Sequence, residues 1–329
     1  MSVMRIGIVG AGMAGLACAE ALSAQGHEVV LLDKGRGPGG RMSTRRVPTD
    51  AGDAWFDHGA QYFTVRDAAF RQRVDAWISS GLVASWPSAR PDAYVGVPAM
   101  AAPIRHMADG QTVWWATLVT RLEPSGQGWR LLRDSGEAVD VDIAVIATPA
   151  EQASALLAGV APDLAARAGA APSAPCWTVM LAFAAALPTD VDCLRGGTAD
   201  TLGWAARNNA KPSRTGPEAW VLQGGPNWSR QYLEAEPDWV AATLSAALAE
   251  RLGTALPAPI GTSVHRWRYA HAAAEGSGAI WDADRRIGLC GDWLIGARVE
   301  AAWLSGTRLA AQIAPSDPCP ADPCPADPC

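Results

Sequence analysis

The chain has 329 residues, of which 49% are hydrophobic and 18% charged; that is enough apolar material for a large core and excludes wholesale disorder. At about 150 residues per domain, the length suggests two domains. The formal charge is −6, nearly all the cations are arginine, and no basic tail or cluster appears, which argues against nucleic-acid and anionic-membrane partners.

Residues 4–9 read as a buried strand, 13–25 as an alanine- and leucine-rich helix, and 28–32 as a second strand, so the chain opens with a βαβ unit. Arg5 ahead of an apolar stretch resembles a secretory leader, but the run is broken at Gly10, Gly12 and Gly15. No stretch reaches the roughly 18–20 apolar residues that span a bilayer. Seven cysteines without a C-x-x-C pair fit a reducing compartment, so the expected location is cytoplasmic.

Residues 33–46 have no hydrophobic period and read as a glycine- and arginine-rich loop. Residues 67–80 read as an amphipathic helix that buries Phe70, Val74, Trp77 and Ile78. Short alternating runs over 112–147 predict a β-meander that ends in a buried strand and stops at Thr148-Pro149. A helix over 150–168 and a connector over 169–175 follow, then strands at 177–183 and 220–223 and a helix over 237–252. Residues 287–292 return to a buried strand ending in Gly-Asp, and 299–313 form a last helix. The D-P-C repeats of 316–329 read as a disordered appendage. Extended chain would hold their cysteines roughly 15 Å apart, too far to bridge without a tight turn.

Gly10-Ala11-Gly12-Met13-Ala14-Gly15 is a G-x-G-x-x-G placed between the first strand and the first helix. Gly10 allows the turn, Gly12 lets a pyrophosphate approach, and Gly15 lets helix and strand pack. The helix N-terminus offers free N–H groups to the phosphates. Asp33 ends the second strand, where a carboxylate accepts ribose hydroxyls. These features predict a dinucleotide site. A second glycine turn with a cation, Gly39-Gly40-Arg41, favours a permanently bound FAD over NAD.

With Asp57-His58-Gly59-Ala60-Gln61-Tyr62-Phe63 and the downstream Gly291-Asp292, the sequence resembles the FAD-containing amine oxidase superfamily. Within it, G-G-R-M-S-T-R (39–45), D-H-G-A-Q-Y-F-T (57–64), R-N-N-A-K (207–211), W-R-Y (267–269) and C-G-D (290–292) resemble the renalase family, in the same order. The resemblance spans residues 3 to about 310 and is strongest in the first 65.

It implies an α/β fold. A Rossmann-type FAD-binding domain, a parallel sheet plus a β-meander, would comprise 1–76, 104–150 and 279–315. A second, mixed-sheet substrate domain of 77–103 and 151–278 would cap the flavin. Non-covalent FAD would lie against Gly10, Ala11, Gly12, Met13, Gly15, Gly40, Arg41 and Met42, with Asp33 and Lys34 at the adenosine end. Val119 would hold the adenine side through its backbone, and Asp57, His58, Thr148 and Asp292 would complete the set. Val299 and Glu300 would place a helix N-terminus at the pyrimidine edge, where reduced flavin carries negative charge.

The resemblance further implies a dihydronicotinamide substrate, reduced at ring position 2 or 6 in place of 4. The flavin takes a hydride at N5 to release NAD(P)+, then reduces oxygen to hydrogen peroxide. Rearomatisation needs no proton transfer, so positioning is the expected requirement. His58, Gly59, Ala60, Gln61, Tyr62, Tyr94, Trp267 and Arg268 are the candidates for it. An amine oxidase or desaturase of the same superfamily is the alternative, and a dinucleotide-binding protein without turnover a third. For an amine oxidase, Lys211 is the only lysine placed to serve the flavin, because Lys34 sits at the adenosine end.

Several residues carry an ordinary reading beside a sharper one. His58 is either a flavin-packing residue or a base, and Cys290 reads as a small buried hydrophobe rather than a flavin attachment point. Arg207, Lys211 and Arg214 are either solvated charges or phosphate ligands. His27, His106, His265 and His271 show no metal-ligand spacing, so no metal is expected. Ser43, Ser213 and Ser229 lack a nucleophile elbow.

Overall fold

A computed structural model describes residues 3–313. The chain opens with β1 (Arg5–Val9), α1 (Met13–Ala24) and β2 (Glu28–Leu32), as the alternation of buried runs and glycine turns predicts. A hairpin of β3 (Thr44–Thr49) and β4 (Gly52–Asp57) follows, then α2 (Ala68–Ser79), β5 (Val83–Ser85), β6 (Tyr94–Gly96), α3 (Ala102–Asp109) and β7 (Thr112–Trp114). The meander is β8 (Val119–Ser125), β9 (Gly128–Arg133) and β10 (Ala138–Val141), and β11 (Ile143–Ile146) leaves it for the main sheet. Helices α4 (Ala150–Leu157) and α5 (Pro162–Gly169) lead to β12 (Ser173–Phe183), β13 (Cys193–Arg195), β14 (Leu202–Arg207) and β15 (Glu218–Gly224). The chain then forms α6 (Pro226–Gln231), α7 (Pro237–Leu252), β16 (Gly261–Ala272), β17 (Ile280–Asp282), β18 (Ile287–Leu289) and α8 (Val299–Ile313).

Six strands form the main sheet in the order β17-β18-β11-β1-β2-β7, parallel except for the edge strand β17. Alternating side chains serve its two faces. Ile6, Ile8, Ile143 and Val145 pack with α1, α3 and α8, whereas Val9, Ala144 and Ile146 pack with the meander, α4 and α5. Gly306 lets α8 lie against α1, because a Cβ there would stand 2.1 Å from the Ala14 carbonyl. That contact sets the N-terminal ends of both helices on one cavity.

The second sheet runs β13-β14-β15-β12-β16 and is antiparallel at every pairing. Its outer face buries Val179, Leu181 and Phe183 against Val240, Leu244 and Leu248 of α7. The other face packs Met180 and Val221 against Phe56 of the β3–β4 hairpin.

The structure corrects several local expectations. The loop over 33–46 ends earlier, since Thr44 already pairs with Asp57 in the hairpin. Residues 112–114 do not belong to the meander; Thr112 pairs parallel with Val30 at the edge of the main sheet. The single helix over 150–168 is two helices, because Pro162 has no N–H for a continuing helix and drives Ala161 to φ −147°. The connector over 169–175 is already strand from Ser173. Ile78 is 40% exposed and lies off the buried face of α2. The twelve-residue β16 escaped the periodicity because most of its residues are half-buried on both faces. No helix among the described residues is long and apolar enough to cross a membrane. The D-P-C tail lies outside the described residues.

Candidate active site

A cavity of about 480 Å³ lies between the two sheets. One end is the glycine turn. Gly10 sits at φ +104°, a conformation that favours glycine, and a Cβ on Gly15 would stand 2.0 Å from the Gly10 carbonyl oxygen. Gly12 is different. A Cβ there would meet nothing within 4 Å, and no side chain caps the helix that follows. The sequence thus leaves an uncapped helix N-terminus facing a cradle, which suits a phosphate. The Asp33 carboxylate accepts from the N–H groups of Ala11 at 2.7 Å and Gly35 at 2.6 Å and is held beside this turn.

Arg41 and Asp292 meet across 251 residues as a two-pronged pair, Nη1 to Oδ2 at 2.8 Å and Nη2 to Oδ1 at 2.6 Å. Both line the cavity, as does Thr148, whose hydroxyl is buried without a partner. An open glycine cradle, a bare helix N-terminus and an unsatisfied buried hydroxyl on one wall are the features a bound pyrophosphate and ribityl chain would satisfy. The residues fit FAD.

The middle wall is Gly59 to Phe63. Gly59 is required by approach, since a Cβ would stand 2.1 Å from the Arg41 carbonyl oxygen. Gln61 turns its amide NH2 onto the Asp57 and Gly59 carbonyls and accepts from Lys211 Nζ at 3.1 Å. Behind it lies a buried ionic cluster. Asp57 Oδ2 is 3.3 Å from Lys211 Nζ and 2.6 Å from Arg214 Nη2, while its Oδ1 accepts from Thr44 and from the Met100 N–H. Burial would raise the Asp57 pKa, but the Lys211 and Arg214 charges outweigh it and hold the carboxyl well below the usual range. Burial pushes Lys211 down to about 8 despite Asp57.

The fourth wall is the inner face of the second sheet. Cys176 is the cross-strand neighbour of Trp267, and Trp204 that of Gln223; all four line the cavity. Burial pushes the Cys176 thiol up to about 12. The Trp267 indole donates to the His58 carbonyl at 2.9 Å and stacks on the His58 ring at 5.2 Å. Burial, with the charges of Arg45 and His265, pushes His58 down to about 3. It is a neutral packing ring at neutral pH.

Of the residues singled out from sequence, Gly12, Met13, Arg41, Met42, Gly59, Ala60, Gln61, Tyr62, Thr148, Trp267, Asp292 and Val299 line this cavity. Gly10, Ala11, Gly15 and Gly40 shape its turns from behind. Others stand elsewhere. Arg268 follows Trp267 in β16 and therefore points to the opposite face, where it pairs with Glu234 at 2.6 Å. Tyr94 packs on Phe63 and its hydroxyl accepts from Arg71. His58 faces Trp267 and His265, and Asp57 faces the ionic cluster. Val119 is buried at the start of β8 in the meander, and Lys34 is exposed beyond Asp33. Glu300 is buried and accepts from the Arg66 and Asp67 N–H groups ahead of α2. Arg207 pairs with Asp192, so none of Arg207, Lys211 and Arg214 is free for a phosphate. Cys290 is fully buried beside Cys18 and does not line the cavity. Cys176, Trp204, Gln223 and His271 were not foreseen, because only the strand register brings them to one face.

Residues 8–76 match the family model for an NAD(P)-binding Rossmann-like domain, and residues 89–314 that for flavin containing amine oxidoreductase. Among solved structures, a candidate protoporphyrinogen oxidase from Exiguobacterium sp. 255-15 superposes with TM-score 0.73 at 13% identity, covering 95% of this chain and 99% of that one. Cyclohexylamine oxidase from Brevibacterium oxydans IH-35A gives 0.68 at 14%, with 94% and 98% covered, and putrescine oxidase 0.63 at 14%, with 95% and 99% covered. At these identities the likeness concerns the fold. The match over 89–314 does more, and with a cavity that fits FAD it makes the chain a member of the flavin containing amine oxidoreductase family, an FAD-dependent oxidoreductase.

Proposed function

We propose that the protein is an oxidase of the renalase kind, acting on 2- or 6-dihydro isomers of NAD(P)H to give NAD(P)+ and, with oxygen, hydrogen peroxide. One observation carries this reading: among the described residues, no carboxylate, thiol or amine at the cavity stands free to take a proton from a substrate. Burial holds the Cys176 thiol protonated, Asp292 is locked to Arg41, and Lys211 stands behind Gln61. Burial and the Arg41 charge lower His271, which makes it a weaker base than a free imidazole. A dihydropyridine loses its hydride and becomes aromatic without giving up a proton. An amine arrives as an ammonium ion and has to lose one.

The chemistry FAD supplies when bound is acceptance of the hydride and transfer of the electron pair to oxygen. Gly12, Arg41, Thr148 and Asp292 would hold it. The protein's own part is positioning. Lys211 and the Asp57 carbonyl clamp Gln61 so that the Gly59–Tyr62 wall is rigid, and Trp204 and Trp267 close the opposite side against water. The fold shared with cyclohexylamine oxidase and putrescine oxidase keeps an amine substrate as the competing reading.

Anaerobic mixing of the FAD-loaded protein with chemically reduced NAD+, a pool of dihydro isomers, tests it. Rapid bleaching of the flavin band, reversed by air with peroxide formed, is the expected result. No bleaching by the pool, with bleaching by an amine panel, overturns it.

A further inference from the structure

Four arginines line the cavity, Arg41, Arg66, Arg90 and Arg298, against a single carboxylate among the described residues, Asp292. Arg41 is already committed to that carboxylate. The other three are exposed and so stand at the mouth, with Arg90 paired to Asp92. The Arg66 guanidinium makes no hydrogen bond or ion pair among the described residues, and Arg298 makes only a long ion pair, Nε to Glu300 Oε2 at 3.9 Å, with no hydrogen bond. Glu300 brings these two together. One of its oxygens accepts from the backbone N–H of Arg66 at 2.6 Å, and the other is the one that Arg298 faces. Residues 66 and 298, far apart in the chain, are thereby held at one buried carboxylate, and the Arg66 guanidinium keeps its donors for something else.

We propose that Arg66 and Arg298, with Arg90 lining the same cavity, form an anion site that binds the phosphate of the substrate. The substrate class is then a phosphorylated nucleoside whose ring enters the cavity. A free amine or an unphosphorylated nucleoside lacks the group this rim holds. The identity of the ring rests on the function proposed above; the anion site does not. Guanidinium matches phosphate with paired donors, and the same charges repel an ammonium ion.

The test uses the FAD-loaded protein and two unreactive probes that differ by one phosphate, nicotinamide mononucleotide and nicotinamide riboside. Titration calorimetry at low salt is expected to show the mononucleotide binding at least about tenfold tighter. Raising the salt to about 0.5 M shrinks that advantage, because the rim is exposed and screened. The R66Q/R298Q variant, checked for retained FAD by its visible spectrum, loses the advantage. Equal affinities in the unaltered protein, binding of neither probe, or an advantage that survives both salt and R66Q/R298Q overturns the anion site. Failure of the functional reading looks different: dihydro isomers leave the flavin yellow while the mononucleotide still binds at the rim.

Discussion

Lys211 Nζ donates to Gln61 Oε1 at 3.1 Å and to Asp57 Oδ2 at 3.3 Å, so the one lysine near the cavity is spent supporting its wall. With Arg214, two cations share one carboxylate, all three side chains buried. Burying such a cluster is costly, and removing the shared anion costs more than removing one cation. Asp57→Asn is therefore expected to destabilise the fold by about 3–5 kcal/mol, leaving two buried charges unpaired. Lys211→Met leaves Asp57 paired with Arg214 and costs less. Urea denaturation followed by tryptophan fluorescence ranks the two; the reverse order would show that Asp57 is not the anchor.

Acid should weaken the fold before it touches most carboxylates. His58, held at about 3, and His265, held at about 4 by burial and the Arg45 charge, stay neutral when folded and take up protons below about 6.5 when unfolded. The unfolded state binds more protons in that window, so stability falls as pH drops from 6.5 towards 4. His58 contributes up to about 1.4 kcal/mol per pH unit, and the half-exposed His265 less. Asp57, depressed in the folded state, adds the same trend below the usual carboxylate range. Urea midpoints between pH 7.5 and 4.5 measure the slope, which His58→Gln should flatten; an unchanged slope would rule out His58 as its source.

Two glycines of one turn should fail differently. Alanine at position 12 meets no protein atom, so Gly12→Ala is expected to shift the stability of the FAD-free protein by less than about 0.5 kcal/mol. FAD affinity should drop at least about tenfold, because the methyl group fills the cradle. Gly15→Ala pushes a Cβ into the Gly10 carbonyl and should cost about 1–3 kcal/mol before any cofactor is added. Melting of the FAD-free variants and flavin titration separate the two effects.

Trp267 and Arg268 are neighbours in β16 on opposite faces. Trp267→Ala opens the cavity wall and frees the His58 carbonyl, with an expected fall in kcat/KM of about tenfold or more. Arg268→Ala breaks only the exposed pair with Glu234 and should stay within about twofold. Steady-state kinetics with the best donor decides, and equal losses would place Arg268 in the site after all.

What was legible in the sequence was local. The glycine turn, its helix and Asp33 could be read because a phosphate-binding turn is built within some 30 contiguous residues, where each residue's spacing states its geometry. Helices α7 and α8 showed for the same reason: an apolar stripe at helical spacing needs no partner to be seen. The joining of Arg41 to Asp292, of Lys211 to Gln61, and of Cys176, Trp204, Gln223 and Trp267 onto one face was decided only by tertiary structure. A strand's residues alternate between faces, so which of Trp267 and Arg268 meets the cavity is not decided until the register is set.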